Sequence, residues 1–167
     1  MELWDVLDSE GKKTGRIIAK GQATKEGEYF LAVHVFIMDK NGRFLIQKRS
    51  MKKALYPGRW DITGGAVLSG EDSLAGAQRE VQEEVGLALP ANAFSYISRL
   101  FRKGVIFDVW AASADFSIDD IVMQEGEVDD VRLVEPQEML RIVFDVEFVD
   151  VEYKKLIADY IKSAGLI

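Results

Sequence analysis

The sequence predicts an α/β or α+β fold, one sheet covered by helices, in a single domain over residues 1–167. Three observations predict it. Several runs rich in β-branched and aromatic residues are separated by turn sequences. One segment, residues 69–86, carries helix punctuation at both ends, and a second run of helical periodicity closes the chain. The composition, 48% hydrophobic and 29% charged over 167 residues, fits one ordinary domain with its own core. No repeat or low-complexity run interrupts it, and Pro57, Pro90 and Pro136 are scattered rather than gathered in a linker.

In order along the chain, residues 2–7 form a short strand followed by a polar turn at Asp8-Ser9-Glu10-Gly11. Residues 16–28, punctuated by Gly21 and Gly27, fit neither element clearly, so residues 1–28 read as an N-terminal extension. Residues 30–38 and 43–49 make a hairpin around Asp39-Lys40-Asn41-Gly42. Pro57-Gly58 breaks the chain, and Trp60-Asp61-Ile62-Thr63 leads into Gly64-Gly65. In the helix over 69–86, Ser69 is the expected cap, Glu71 and Asp72 suit the positive N-terminal end, and Gly86 suits the stop. Strands follow at 94–101 and 105–112, with a weaker one at 128–134. The end reads as a short helix at 136–142 and a longer one at 148–163, where Val151, Leu156, Ile157, Tyr160 and Ile161 recur at helical spacing.

Composition excludes several chemistries. Without cysteine there is no disulfide scaffold, thiol nucleophile or cysteine-held zinc, and a single histidine, His34, cannot build a histidine-rich metal site. Twenty-one basic residues against 28 acidic ones leave a net charge of −7, so nonspecific attraction to DNA or an anionic membrane is not expected. Residues 1–11 do not resemble a secretory signal, and the longest apolar run, residues 30–38, is far short of the ~20 residues that span a bilayer. A cytoplasmic location is the expectation.

Chemistry concentrates in residues 65–87, GAVLSGEDSLAGAQREVQEEVGL. On a helix from about Glu71, Leu74, Ala77, Val81 and Val85 form an apolar stripe, and Glu80, Glu83 and Glu84 crowd the face beside it. Like charges at this spacing repel by a few tenths of a kcal/mol per pair. A hard divalent cation relieves them, since Mg²⁺ takes oxygen ligands and keeps waters that a phosphate can replace. Arg79 lies close enough on the wheel to hold part of the cluster, and Gly64-Gly65 permits close backbone approach just before the helix. A solvated acidic helix face is the competing explanation of the same string.

Gly65, Glu71, Arg79, Glu80, Val81, Glu83, Glu84, Gly86 and Leu87 reproduce without departure the Nudix box, G-x5-E-x7-R-E-U-x-E-E-x-G-U with U aliphatic. The chain therefore resembles the Nudix hydrolase family. Gln47-Lys48-Arg49-Ser50, Pro57-Gly58-Arg59-Trp60-Asp61 and the strand after Glu127 extend the likeness. The resemblance implies a mixed sheet between helices, with the box as loop–helix–loop. It also implies hydrolysis of a nucleoside diphosphate derivative, a small phosphoanhydride, with Mg²⁺ or Mn²⁺ as cofactor. Glu80, Glu83 and Glu84, with the carbonyl of Gly65, match the family's metal ligands. Glu83, Glu84 and Arg79 fall at its catalytic positions, with Glu71 as a supporting brace. An acid beyond the box is expected from Glu125 or Glu127, with Glu127 preferred, and Arg49 is the expected phosphate contact, with Lys52 or Lys53 as lesser candidates.

The opening ELWDVLDSEGKKTG and the stretch KRSMKKALYPGRWD resemble the branch holding isopentenyl diphosphate isomerase and isomerase-like Nudix hydrolases. That isomerase places a catalytic cysteine where this chain has Gly64 and a metal-binding histidine where it has Ala66, and its downstream glutamates have no counterpart in residues 103–106. Isomerisation is not expected. A non-catalytic nucleotide-binding or regulatory domain is the alternative, and a homodimer through the N-terminal strand is a further expectation. His34 and Trp60 read as structural, and Trp4, Tyr29, Phe30 and Tyr56 as packing residues able to stack a base.

Overall fold

The computed structural model describes residues 1–144 and 150–167. Strands β1 (Leu3–Leu7) and β2 (Lys13–Ala19) pair antiparallel as a separate two-stranded sheet. Strand β2 lies in the segment whose sequence reads ambiguously. Its residues are mostly exposed and only Ile18 is buried, so no apolar alternation marks it. The ribbon is fastened to the rest of the chain by a bridge from Leu7 to Tyr29 and by Trp4 stacked on Phe30 at 4.5 Å.

The main sheet has seven strands: β3 (Phe30–Met38), β4 (Phe44–Arg49), β5 (Trp60–Asp61), β6 (Thr63–Ala66), β7 (Phe94–Arg102), β8 (Val105–Ser113) and β9 (Val128–Val134). Their order is β5-β4-β3-β8-β7, with β6 also paired to β3 and β9 to β4. β3 runs parallel to β8 from Phe30↔Val105 to Met38↔Ser113, while its other pairings are antiparallel, so the sheet is mixed. The expected hairpin forms, but β3 and β4 share only Ile37↔Leu45 and Met38↔Phe44. β4 pairs with β9 along its whole length, from Phe44↔Val134 to Arg49↔Val128, and takes β5 at Gln47 and Lys48, while β6 takes its place beside β3 through Ala32↔Ala66 to Val35↔Thr63. This handover puts Gly64 and Gly65 inside the sheet rather than in a loop.

Alternation along β3 divides the core. Val33, Val35 and Ile37 pack with Ala77, Val81 and Val85 of helix α1 (Ser73–Val85), while Phe36 packs with Ile157 and Ile161 of helix α3 (Val151–Ser163). Full burial of a valine or isoleucine is worth about 1.5–3 kcal/mol, so each helix is held mainly by its apolar stripe. The helix α1 begins later than expected. Its cap is Asp72, accepting from Ala75 N at 2.8 Å, whereas the Ser69 hydroxyl is drawn 2.7 Å to Asp5 of β1. Glu71 therefore lies in the loop ahead of the helix. Gly86 ends it as expected, with φ 75°, donating to Gln82 O at 3.1 Å. The segment expected as a helix over 136–142 is α2 (Pro136–Met139) running into a wider π-type turn at Leu140–Phe144. The expected start of the last helix at Phe148 lies outside the described residues. Among the described residues no helix is long and apolar enough to cross a membrane.

Candidate active site

Arg79 is the organising group of the box. All five of its N–H directions find an acceptor: Nε and Nη2 grip Glu71 at 2.9 and 3.1 Å, and Nη2 also reaches Ala66 O at 2.8 Å. Nη1 donates to Glu80 at 2.6 Å and to Glu83 at 3.1 Å. Burial opposes its charge, but the bonds to Glu71 and Glu80 hold its pKa above the ordinary arginine value. Glu71 also accepts from Leu68 N at 3.0 Å, which ties the loop to the helix.

The three box carboxylates sit at graded depth. Glu83 faces solvent, Glu80 is largely enclosed and Glu84 is buried. Burial pushes the Glu80 carboxyl up against the pull of Arg79. Glu84 Oε2 accepts from Gln47 Nε2 at 2.7 Å and Gly64 N at 3.1 Å, yet its pKa is pushed up to about 8. Burial is the main cause, and the charges of Glu80 and Glu127 add to it. Gly65 lies directly beneath Glu80: a Cβ there would stand 2.5 Å from the carboxyl carbon, so no other residue fits without displacing the acid.

Gly65, Glu80, Glu83, Glu84 and Glu127 line one cavity of about 290 Å³ together with Arg49, Lys53 and Arg79. Glu127 is paired with Lys53, and its carbonyl accepts from Ser50 N at 2.8 Å. The Arg49 guanidinium lines the same cavity but is spent on Leu55 O at 3.1 and 3.2 Å. Lys52 only approaches exposed Glu125, at 4.0 Å. Among the described residues no three or more acidic or histidine groups already converge as a closed metal cluster. Glu80 and Glu83 are turned to Arg79, and Glu84 to Gln47. The donor set nevertheless fits a hard cation. It consists of oxygen atoms only, two of its carboxyls are held above their ordinary pKa in partial burial, and the glycine backbone leaves room beside Glu80.

Sequence reasoning missed three lining residues. Glu2 and Lys20 arrive from the N-terminal ribbon beside Trp4, with Lys20 Nζ 2.8 Å from Glu2, and Gln124 comes from the loop before β9. Gln47 has no role assigned from the sequence, although it directly follows the apolar run Phe44-Leu45-Ile46 and is buried with it. Trp4, Tyr29 and Phe30 are in ring packing, and Trp60 lies under the Arg132 guanidinium at 4.4 Å. His34 Nδ1 is 2.7 Å from the Tyr153 hydroxyl.

A mixed sheet between two helices, with a glycine pair in strand β6 beside an acid-bearing helix gripped by one arginine, defines a Nudix-type hydrolase. Residues 28–158 match the NUDIX domain, and the chain belongs to that family, whose enzymes are pyrophosphohydrolases. A Nudix hydrolase of Listeria monocytogenes is 36% identical over 154 residues, covering 89% of this chain and 89% of that protein. Nudix hydrolase 3 of Arabidopsis thaliana is 34% identical over 151 residues, covering 82% of this chain and 20% of that protein. In fold, the chain is similar to a crystal structure of a Deinococcus radiodurans protein, with a TM-score of 0.74 and 20% identity over 95% of this chain and 98% of the other.

Proposed function

We propose that this chain, as one domain, cleaves the diphosphate linkage of a nucleoside diphosphate derivative with Mg²⁺ or Mn²⁺ bound at Glu80, Glu83, Glu84 and the Gly65 carbonyl. The observation that carries the reading is the meeting of those groups with Glu127, Arg49 and Lys53 in one polar cavity. A divalent cation held there would neutralise the diphosphate and supply a water of lowered pKa for attack at phosphorus. The chain does the rest. Arg79 and Glu71 fix the glutamates, Glu84 is oriented by Gln47 and Gly64 N–H, and Glu127 supplies an acid from outside the box. Arg49 and Lys53 supply positive charge to a phosphate once they leave Leu55 O and Glu127.

Gly64 supports hydrolysis over isomerisation within the isomerase-like branch. A Cβ at that position would stand 2.4 Å from Val33 O, so the strand has no room for the thiol that isomerase chemistry needs. The test is a panel of nucleoside diphosphates and triphosphates, dinucleotides, nucleotide sugars and ADP-ribose with either metal. Hydrolysis of the P–O–P anhydride that stops with chelator supports the reading. An inert panel under both metals overturns it in favour of a non-catalytic binding domain, and allylic product from isopentenyl diphosphate overturns the choice of hydrolysis over isomerisation.

A further inference from the structure

One ion pair in the acidic cavity joins two groups that the reaction needs apart. Lys53, from the loop after β4, is bound to Glu127, from the loop before β9. We propose that this pair is an exchangeable lock: Glu127 is withheld from a divalent cation, and Lys53 from a phosphate, until one of those ligands opens it. Cation and phosphoanhydride then strengthen each other's binding through the chain itself. The proposal rests on the hydrolase reading and adds a regulation of its site.

Enclosure is the first argument. The Lys53 and Glu127 side chains are 25% and 33% exposed, so the pair belongs to the cavity wall rather than to open solvent. The same two loops carry a second pair, Lys52 with Glu125, which stands 4.0 Å apart with side chains 74% and 95% exposed. A pair of that kind contributes little and rearranges without consequence. The enclosed pair withholds charge from the cavity: while it is closed, ammonium and carboxylate satisfy each other, and neither is offered to a ligand. Glu127 also faces the box, since its charge helps push the Glu84 carboxyl up and is felt at Lys20 of the ribbon.

Anchoring is the second argument. Ser50 N donates to Glu127 O at 2.8 Å, Met51 N to Asp129 Oδ2 at 2.8 Å, and Lys53 N to Ser50 O at 3.1 Å. The two loops are therefore fastened to each other independently of the Lys53–Glu127 contact. When that contact opens, neither group is carried away, and side-chain rotation alone turns Glu127 toward a cation and Lys53 toward a phosphate. The other cations of the lining are placed differently. Arg79 holds the box glutamates themselves, Arg49 donates to the neutral Leu55 carbonyl, and Lys20 meets Glu2 in a more exposed pair. Opening Lys53–Glu127 delivers one group of each sign to the site, and it has to be done only once. The coupling between the two ligands is therefore positive, and equal in both directions.

The test measures binding without turnover. Mn²⁺ alone is titrated and read by the paramagnetic resonance signal of the free ion. Methylenediphosphonate, whose P–C–P bridge is not hydrolysed, is titrated without metal by calorimetry. Lys53→Met should bind Mn²⁺ about three- to tenfold tighter than wild type, because Glu127 is freed, and Lys53→Arg should restore the wild-type value. Glu127→Gln should bind methylenediphosphonate about three- to tenfold tighter, because Lys53 is freed. Each substitution also alters the field in the cavity, and the double variant separates that field from the lock. Adding Lys53→Met to Glu127→Gln should move Mn²⁺ affinity by less than about twofold, and Lys52→Met in the wild type should do no more. Unchanged Mn²⁺ affinity in folded Lys53→Met, or equal tightening with and without Glu127, overturns the lock and leaves the hydrolase reading standing. A lock that behaves as expected in a protein that cleaves no diphosphate overturns the hydrolase reading alone.

Discussion

Helices α1 and α3 are near twins in local physics and opposites in use. Each has 13 residues, is capped by an aspartate and covers one face of the same sheet with an apolar stripe. α1 adds three carboxylates and an arginine along the edge of its stripe, one of those carboxylates buried. α3 instead packs half-buried Tyr153 against His34, with Ile157 and Ile161 buried beneath. The first helix gives up stability to concentrate charge; the second is packed for burial. A candidate site is marked only in the first, because acids at i, i+3 and i+4 repel one another and call for a compensating charge.

The largest effect that tests this difference is Glu84→Gln. The amide oxygen can still accept from Gln47 and Gly64 N–H, so the fold keeps its contacts while the carboxylate that a cation needs is lost. Turnover is expected to fall by orders of magnitude, and metal-free stability to hold or rise by up to about 0.5 kcal/mol. The stabilisation that Mg²⁺ gives the wild type should shrink in the variant. Kinetics and melts with and without Mg²⁺ read this, and a variant with full turnover and a lower metal-free melting temperature would make α1 an ordinary packed helix. The opposite pattern is expected on α3. Ile157→Ala, at a fully buried site, should cost about 2–5 kcal/mol in denaturant unfolding and leave the folded fraction's specific activity near wild type.

What could be read in advance follows the same line. The shared helix face of Glu80, Glu83 and Glu84, the Gly86 stop and the turn at Asp39 to Gly42 are local patterns, and each forms where expected. Long-range competition hid the rest. Ser69 and Asp72 are equally good caps by type, and what decides between them is Asp5, 64 residues away, which takes the Ser69 hydroxyl and the Gly70 N–H. Lys20 and Glu2 reach the acidic cavity only because β2 pairs with β1, a register that no alternation announces. Gln47 meets Glu84 across 37 residues.

A smaller effect separates the two faces by pH. Burial pushes the His34 pKa below its ordinary 6.5, with the charges of Arg59 and Arg49 adding to the fall and that of Asp61 opposing it. A depressed histidine stabilises the fold while it is neutral, so the stability is present above pH 6.5 and is lost as pH falls through that value toward the folded pKa. One such group contributes a slope of up to about 1.4 kcal/mol per pH unit. Urea titrations between pH 5 and 7.5 should show an acid-side loss that His34→Gln flattens. An identical slope in the variant would assign the loss to carboxylates elsewhere.

The smallest effect uses the two caps. Asp72 accepts from Ala75 N at 2.8 Å and Asp150 from Glu152 N at 2.8 Å, so either change to alanine should cost about 1 kcal/mol. Their asparagine variants separate capping from charge. Asp72 makes no ion pair among the described residues, and asparagine caps as well as aspartate, so Asp72→Asn should be nearly neutral. Asp150 also meets Arg102 Nε at 2.9 Å, an exposed pair, so Asp150→Asn should lose a few tenths of a kcal/mol. Activity then distinguishes the helices. Fraying the first turn of α1 loosens the chain between Glu71 and Arg79, whose bidentate grip positions the glutamates, so Asp72→Ala should lower turnover beyond what its stability loss explains. Asp150→Ala should lower stability alone. Equal turnover in the two alanine variants, both folded, would mean that the Arg79–Glu71 grip holds the site without help from the helix start.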